Sequence, residues 1–216
     1  MLASNSPRRR ELLALWGWNF EVRPAAVDES LHPGEAPGDY VLRLAVSKAQ
    51  ACAASPHPSD LIIAADTSVA DGKSILGKPK HGLEAETMLR GLRAHTHQVY
   101  TGLALMRIAD GNLVTELCVT DVPMRAYSDE ELETYVASGD PLDKAGGYGI
   151  QHRQFHPVEG LTGCQASVMG LPLCHLTRAL RHFNIIPVVN VPAHCQASLD
   201  YACPIFPAVL RGEQVG

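Results

Sequence analysis

Three consecutive arginines stand near the start of the chain, where the sequence predicts the first turn of a helix. Ser6 is typical of a residue that caps a helix, and Pro7 is favoured at the first helical position. Arg8, Arg9 and Arg10 would then lie beside the positive end of the helix dipole, where each cation costs about 0.3–1 kcal/mol. A bound anion such as phosphate would offset that cost. From these residues alone, a solvated basic helix face is an equally good interpretation.

Two carboxylates and a lysine further along the chain could act on such an anion. Asp66 follows an apolar run at 61–65, where a predicted strand ends, and its carboxylate could bind a divalent metal or serve as a general base. A turn aspartate is the alternative. Asp28-Glu29 lies in a polar loop and could supply a second carboxylate to a metal, or be simply a solvated pair of charges. Lys78 lies in a Gly-Lys-Pro sequence that suits a phosphate contact or an ordinary turn, and the segment is not a P-loop.

The segment 143–151 combines three glycines within four positions with polar side chains at its edges. Glycines allow a ligand to approach the backbone closely. Asp143, Lys144 and Gln151 add acidic, basic and amide groups to that segment. A binding loop and a tight glycine-rich turn both fit this pattern.

Composition limits the classes of protein to which the chain can belong. Its 216 residues, 46% of them apolar, suit one sizeable domain or two small lobes. Six scattered cysteines without a Cys-x-x-Cys pair, and no apolar run long enough to span a membrane, predict a cytoplasmic protein with reduced thiols and no membrane partner. The net charge of −5 argues against a nucleic acid polymer as ligand. His95 and His97 alternate on a predicted strand, but no third ligand is evident, so no metal is assigned to them.

The elements that must position these residues follow an α/β pattern with turn and capping signals between them. A short apolar start at 1–3 predicts a clipped strand before the Ser6 helix, and prolines at 55–58 end the second helix. We expect one domain over 1–186, followed by an irregular, proline-containing tail at 187–216. The other predicted helices cover residues 39–54, 82–92, 128–137 and 172–182, and the predicted strands cover 61–65, 98–107, 113–126 and 166–171.

Six separated motifs, taken together, resemble one known family. In chain order they are Ser4-x-Ser6-Pro7-Arg8-Arg9, Ala65-Asp66-Thr67, Leu76-Gly77-Lys78-Pro79, Tyr135-Val136-Ala137-Ser138-Gly139, Asp143-Lys144-Ala145-Gly146 and Val168-Met169-Gly170-Leu171-Pro172-Leu173. This order resembles the Maf family of nucleoside triphosphate pyrophosphatases over residues 1 to about 184. The resemblance implies an elongated α/β fold, in which a long mixed β-sheet with flanking helices forms two lobes around a cleft. Such a fold is similar to that of the inosine triphosphate pyrophosphatases and is usually a homodimer.

Within that family, Asp66-Thr67 together with Gly149-Ile150-Gln151 resembles the branch that acts on dTTP and UTP. The resemblance implies hydrolysis of the nucleoside triphosphate to the monophosphate and pyrophosphate, with Mg²⁺ or Mn²⁺ as cofactor. It assigns Asp66 as general base, with Glu29 and Asp66 at the metal. The implied substrate-binding and specificity residues are Ser6, Arg8, Arg9, Lys48, Thr67, Lys78, Asp143, Lys144 and Gln151.

Two other functions remain open at this point. Members of the family have been linked to septum formation, so a regulator that binds a nucleotide without hydrolysing it is one alternative. A simple phosphatase that releases orthophosphate is the second.

Arg10 is expected to face away from the ligand, because adjacent helical residues lie about 100° apart.

Overall fold

A four-stranded antiparallel β-sheet forms the centre of the protein, and its strands lie side by side in the order 74–76, 61–71, 96–107 and 113–123. The computed structural model describes residues 1–54 and 60–216, so the predicted helix break at 55–58 lies outside the described residues. The strands are β1 (Leu61–Asp71), β2 (Ser74–Leu76), β3 (Thr96–Arg107) and β4 (Leu113–Pro123). The predicted hairpin of the two long strands β3 and β4 is confirmed.

The N-terminus joins this sheet in the parallel direction. Leu2 forms parallel bridges with Ile63 of β1 and with Val22. The short apolar start is therefore part of a mixed sheet, as expected, although it contributes a single bridging residue and not a full strand.

Strand β1 is longer than predicted, and this changes the position of Asp66. The strand continues to Asp71 because Val69 and Ala70 are buried and keep pairing with β3. Asp66 therefore lies in the middle of a strand, opposite Gly102, and not at its carboxyl end. The prediction that the strand ends at Asp66 was wrong, because a polar Asp-Thr pair was given more weight than the apolar residues after it.

Gly102 allows a helix to pack very close to the sheet at this point. A Cβ on Gly102 would lie 2.7 Å from the backbone carbonyl carbon of Val41, so a larger residue would push that helix away. Lys48 stands seven residues, or about two turns, after Val41 and thus on the same helix face. The close approach brings Lys48 to Asp66.

Eight helices surround the sheet in the part of the chain that the structure describes. The helix Asp129–Ala137 has the predicted capping box, in which Ser128 and Glu131 each bond the other's backbone N–H. Two short 3₁₀ helices, Asp140–Asp143 and Ala145–Gly147, follow it. The helices are α1 (Pro7–Ala14), α2 (Pro37–Ala53), α3 (Gly82–Leu92), α4 (Asp129–Ala137), α5 (Gln165–Val168), α6 (Leu173–Arg181), α7 (Val191–Leu199) and α8 (Phe206–Arg211).

The expected strand at 166–171 is wrong, because this segment contains helix α5 and a turn. The backbone at Gly170 adopts φ +106°, a conformation that favours glycine, and it ends the turn before α6. The apolar run was short enough to fit either a strand or a buried helix.

The irregular tail predicted at 187–216 instead contains helices α7 and α8. Pro192 and Pro207 stand in their first turns, where the missing N–H is not needed. Val191 and Val209 are buried against the rest of the protein. Pro192 and Pro207 are thus at helix starts, whereas the prolines of this segment predict an irregular tail when the sequence is considered alone.

Two large hydrophobic clusters hold the layers together. The first surrounds Trp16 and joins α1, α6 and the tail to one part of the sheet. The second surrounds Tyr127 and Tyr135 and joins α3 and α4 to another part. No helix among the described residues is long and apolar enough to cross a membrane.

Candidate active site

A cleft of about 640 Å³ opens beside the start of α1 and the middle of β1. This volume suits a ligand of nucleotide size. Every site residue predicted from the sequence lines the cleft: Ser6, Arg8, Arg9, Glu29, Lys48, Asp66, Thr67, Lys78, Asp143, Lys144 and Gln151.

The start of α1 has the predicted geometry. Ser6 is the N-cap, and its Oγ accepts a hydrogen bond from the Arg9 backbone N–H at 3.4 Å. Arg8 and Arg9 are partly buried and line the cleft, whereas Arg10 is exposed. The helix start therefore presents Ser6 and two of the three arginines to the cleft.

The guanidinium of Arg9 is held by three neighbours. It donates to the carbonyl oxygen of Gly170 at 2.8 Å, to Thr67 Oγ1 at 3.1 Å and to Ser4 Oγ at 3.3 Å. Thr67 Oγ1 in turn lies 3.0 Å from Thr101 Oγ1. Burial lowers the pKa of Arg9, and the charge of Asp66 opposes that change. These contacts fix a cation in the cleft wall.

Gly170 is a site residue that the sequence reading did not single out. A Cβ at this position would lie 3.2 Å from both Arg9 Nε and Thr67 Oγ1. The absence of a side chain therefore lets the carbonyl oxygen of Gly170 reach Arg9. Its place in the Val-Met-Gly-Leu-Pro motif was the available signal.

Lys48 on α2 stands between two carboxylates. Its Nζ lies 2.6 Å from Asp66 Oδ1 and 2.7 Å from Glu29 Oε1. Burial acts to raise the pKa of Glu29, but the neighbouring Lys48 acts against burial and the pKa is lowered. One ammonium group thus brings together a buried carboxylate and an exposed one.

Asp66 itself is a buried carboxylate whose pKa is raised. Burial is the main cause, while Lys48 and Arg9 oppose it and Glu29 adds to it. A carboxylate with a raised pKa accepts a proton more readily than an ordinary aspartate. The position combines the basicity and the ionic contacts that a general base requires.

On the other wall of the cleft, Lys144 and Asp143 form a second charged group. Lys144 is buried, and its Nζ donates to Asp143 Oδ1 at 2.6 Å and to Asp140 Oδ1 at 2.9 Å. Asp143 Oδ2 accepts from Arg8 Nη1 at 3.3 Å. This contact links the start of α1 to the opposite wall.

Lys78 and Gln151 are exposed residues at the cleft surface. The carbonyl oxygen of Gly77, next to Lys78, accepts from the N–H of Gly146 at 3.1 Å. The two loops that carry Lys78 and Lys144 are therefore joined through their backbones.

Tyr148, which also lines the cleft, was not singled out in the sequence. It is buried, and its hydroxyl lies 2.7 Å from Nε2 of His97. Burial lowers the pKa of His97 to about 4, so this histidine is neutral at pH 7. His95 instead lies 3.2 Å from Asp71. The two histidines thus contact different partners. The glycine-rich segment around Tyr148 was the only sequence signal for its position.

Comparison with known proteins identifies the family. A family profile described as Maf-like protein matches residues 1–183. A dTTP/UTP pyrophosphatase of Anaeromyxobacter dehalogenans is 45% identical over 183 residues, which cover 84% of this chain and 92% of the relative. A dTTP/UTP pyrophosphatase of Myxococcus xanthus is 49% identical over 173 residues, covering 80% and 86%. One of Bacillus cereus is 44% identical over 185 residues, covering 86% and 95%. The resemblance inferred from the six motifs is confirmed, and the chain belongs to the Maf family.

Proposed function

We propose that this protein hydrolyses dTTP and UTP to the nucleoside monophosphate and pyrophosphate in the cleft at the start of α1. The observation that carries the proposal is the buried Asp66 carboxylate, which has a raised pKa and lies within one cleft with five cationic side chains. Relatives at 44–49% identity that are named dTTP/UTP pyrophosphatases support the same activity. The cationic side chains are Arg8, Arg9, Lys48, Lys78 and Lys144.

The triphosphate would lie against the start of α1. The positive dipole of a helix start favours an anion, and Ser6 together with Arg8 and Arg9 surrounds that point. The planar guanidinium of Arg9, already fixed by protein contacts, can donate to phosphate oxygens with little loss of side-chain entropy. The charge that develops on the phosphoryl group would be stabilised there.

Asp66 would orient and deprotonate the attacking water. Burial raises the pKa of the carboxylate and so makes it more basic, while the neighbouring Lys48 acts in the opposite direction and favours its charged form. Lys48 also limits the repulsion between the carboxylate and the incoming phosphates. The reaction breaks the bond between the α- and β-phosphates, and it requires no covalent intermediate with the protein.

The charged groups fit a divalent cation that is bound together with the substrate. Glu29 and Asp66 both contact Lys48 Nζ, so two carboxylates lie close to each other in the cleft. Within residues 1–54 and 60–216, no three His, Cys, Asp or Glu side chains could hold a metal ion by themselves. Mg²⁺ is typically bound by one or two carboxylates plus phosphate oxygens, which matches this set. When bound, Mg²⁺ or Mn²⁺ would neutralise charge on the phosphates, and Glu29 and Asp66 would hold it.

The nucleobase would lie near Thr67, Tyr148 and Gln151, which also line the cleft. The amide of Gln151 can donate to a carbonyl oxygen and accept from a ring N–H, which are the groups that uracil and thymine present. A homodimer, expected from the family resemblance, remains a proposal, which analytical ultracentrifugation tests.

A panel of nucleoside triphosphates tests the reaction, the substrate and the metal together. The protein is incubated with dTTP, UTP, CTP, ATP and GTP, in the presence of Mg²⁺, Mn²⁺ or a chelator, and the products are separated. We expect monophosphate and pyrophosphate from dTTP and UTP when either metal is present. Orthophosphate as the product from all of these nucleotides would identify a phosphatase instead, and tight binding without turnover would identify a non-catalytic regulator.

A further inference from the structure

A chain of hydrogen bonds runs behind the cleft wall and ends at the backbone N–H of Gly149, two residues before Gln151. Tyr135 on α4 is buried, and its hydroxyl donates to Asp140 Oδ2 at 2.7 Å. The same hydroxyl oxygen accepts the backbone N–H of Gly149 at 3.0 Å. One phenol group thus serves two partners that stand nine residues apart in the sequence.

The other end of this chain is the buried cation of the cleft. Lys144 Nζ donates to Asp140 Oδ1 at 2.9 Å and to the Asp140 carbonyl oxygen at 2.6 Å. Asp140 therefore uses one carboxylate oxygen for Lys144 and the other for Tyr135. The positions of Lys144 and Gly149 are coupled through these two residues.

Gly149 also packs directly against its neighbours in the cleft wall. A Cβ on Gly149 would lie 2.9 Å from Lys144 Cε and 3.3 Å from Gln151 Nε2. A shift of Gly149 toward these side chains would therefore press on Lys144 or Gln151. The N–H that Tyr135 holds is one anchor of the segment 149–151, and the Gly149 carbonyl oxygen, which accepts from the N–H of His152 at 3.0 Å, is another.

The ring of Tyr135 is fixed independently of its hydroxyl. It stacks on Phe155, with ring centroids 4.2 Å apart and an angle of 13° between the planes. It also contacts His152 edge-on, with a centroid distance of 4.7 Å. Removal of the hydroxyl alone should therefore leave the ring in place and free only Gly149 and Asp140.

We propose that the Tyr135 hydroxyl is a positioning group that fixes Gly149–Gln151 against Lys144 and thereby sets the selectivity between uracil and cytosine nucleotides. Neither Tyr135 nor Asp140 belongs to the cleft wall formed by the described residues, so both act through Lys144 and Gln151. The inference rests on the proposed function, since it requires the nucleobase to lie against Gln151.

The variant Tyr135→Phe tests this proposal, with Tyr127→Phe as a matched control. Tyr127 is also buried and packs on Phe155 at a centroid distance of 4.7 Å, but its hydroxyl donates to the Leu89 carbonyl oxygen in α3. Both variants lose one buried hydroxyl from the same hydrophobic cluster. A general loss of packing would therefore affect them equally.

We expect Tyr135→Phe to lower the ratio of kcat/KM for UTP to that for CTP by about 10-fold, mainly through a higher KM for UTP. Tyr127→Phe should leave the ratio within about 2-fold of the wild type, a change of at most 0.4 kcal/mol. An unchanged ratio in Tyr135→Phe, or an equal change in both variants, would overturn the proposal. A wild-type protein that hydrolyses UTP and CTP equally well would also overturn it.

Two further measurements distinguish a failure of this proposal from a failure of the proposed function and from misfolding of the variant. If the wild type releases no pyrophosphate, the proposed function fails, and the ratio of the Kd values for UTP and CTP in calorimetry then reports the positioning role. If Tyr135→Phe does not fold, Asp140→Asn replaces it, because it weakens the contacts to both Tyr135 and Lys144. The same fall in selectivity is expected from Asp140→Asn, and an unchanged ratio contradicts the proposal.

Discussion

Two pairs of oppositely charged side chains are buried to the same extent in this protein, yet their surroundings differ. Lys48 and Asp66 are each 11% exposed in the cleft, and Arg178 and Glu116 are 9% and 10% exposed beneath the C-terminal residues. Arg178 binds both oxygens of Glu116 and also donates to the carbonyl oxygens of Val209 and Glu213. The protein thus supplies partners both for the guanidinium and for the carboxylate of that pair.

The cleft pair is not closed off in this way. Lys48 is shared between Asp66 and Glu29, and the cleft beside it is open to a ligand. Burial raises the pKa of Asp66 despite its lysine partner, whereas the hydrogen bonds to Glu116 raise the pKa of Arg178 and hold its charge. Burial alone therefore does not distinguish an ion pair that only stabilises the fold from one that could take part in a reaction. The difference lies in whether the partners leave room for a ligand and which protonation state they favour.

The largest expected effect separates the two pairs by activity. Asp66→Asn keeps the shape of the side chain but removes the base, so kcat for UTP hydrolysis should fall about 1,000- to 10,000-fold. Nucleotide binding, measured by calorimetry, should stay within about 3-fold of the wild type, a difference below 1 kcal/mol. Unchanged turnover would remove Asp66 from the mechanism.

The second prediction concerns the stability of the closed pair. Arg178→Met leaves Glu116 buried without its partner, so the free energy of unfolding should fall by at least about 3 kcal/mol. Denaturant unfolding measures this loss, and kcat/KM below the unfolding transition should stay close to that of the wild type. As a control, Arg211→Met breaks the exposed pair with Glu213 and should cost less than about 1 kcal/mol. Equal losses in both variants would mean that breaking the buried pair of Arg178 and Glu116 costs no more stability than breaking an exposed ion pair.

The third prediction tests the fixed cation of the cleft. Arg9→Lys keeps the positive charge but loses the planar contacts to Gly170 and Thr67, so kcat/KM for UTP should fall about 30- to 100-fold. The adjacent variant Arg10→Lys changes an exposed residue of the same helix turn and should have almost no effect. Equal losses at both positions would show that only the overall charge of the helix start matters.

The smallest expected effect is a pair of opposite shifts in the pH profile of kcat/KM. Asp66 must be ionised to act, so activity is lost as the pH falls through its pKa, and this acidic limb should lie above the pH typical of an aspartate. Lys48→Gln removes a cation that lowers the pKa of Asp66, so the limb should move to higher pH. Glu29→Gln removes an anion that raises it, so the limb should move to lower pH. Shifts in the same direction would contradict the assignment of the limb to Asp66.

Most of the site could be predicted from the sequence because it is encoded in short local patterns. The N-cap Ser6 with Pro7 gave the start of α1, and the rotation between helical neighbours separated Arg10 from the other arginines. The motifs, through their order along the chain, then indicated Asp66 and Gln151, for which local physics alone left both a functional role and an ordinary turn open.

The features that the sequence reading missed depend on contacts between distant segments. Asp66 reaches Lys48 because Gly102 admits α2 close to the sheet, and a strand pattern does not reveal that approach. Helices α7 and α8 gain their stability by packing Val191 and Val209 onto the domain, so their own periodicity is weak. Tyr135 was part of a motif, but only the structure shows that its hydroxyl reaches Gly149.

The most direct test of the central claim is ³¹P NMR of UTP incubated with the protein and Mg²⁺. If the cleft hydrolyses the bond between the α- and β-phosphates, the three triphosphate signals should disappear together while UMP and pyrophosphate appear in equal amounts. The Asp66→Asn variant, under the same conditions, should leave UTP intact. Formation of UDP and orthophosphate, or UTP that persists with the wild-type protein, would contradict the account.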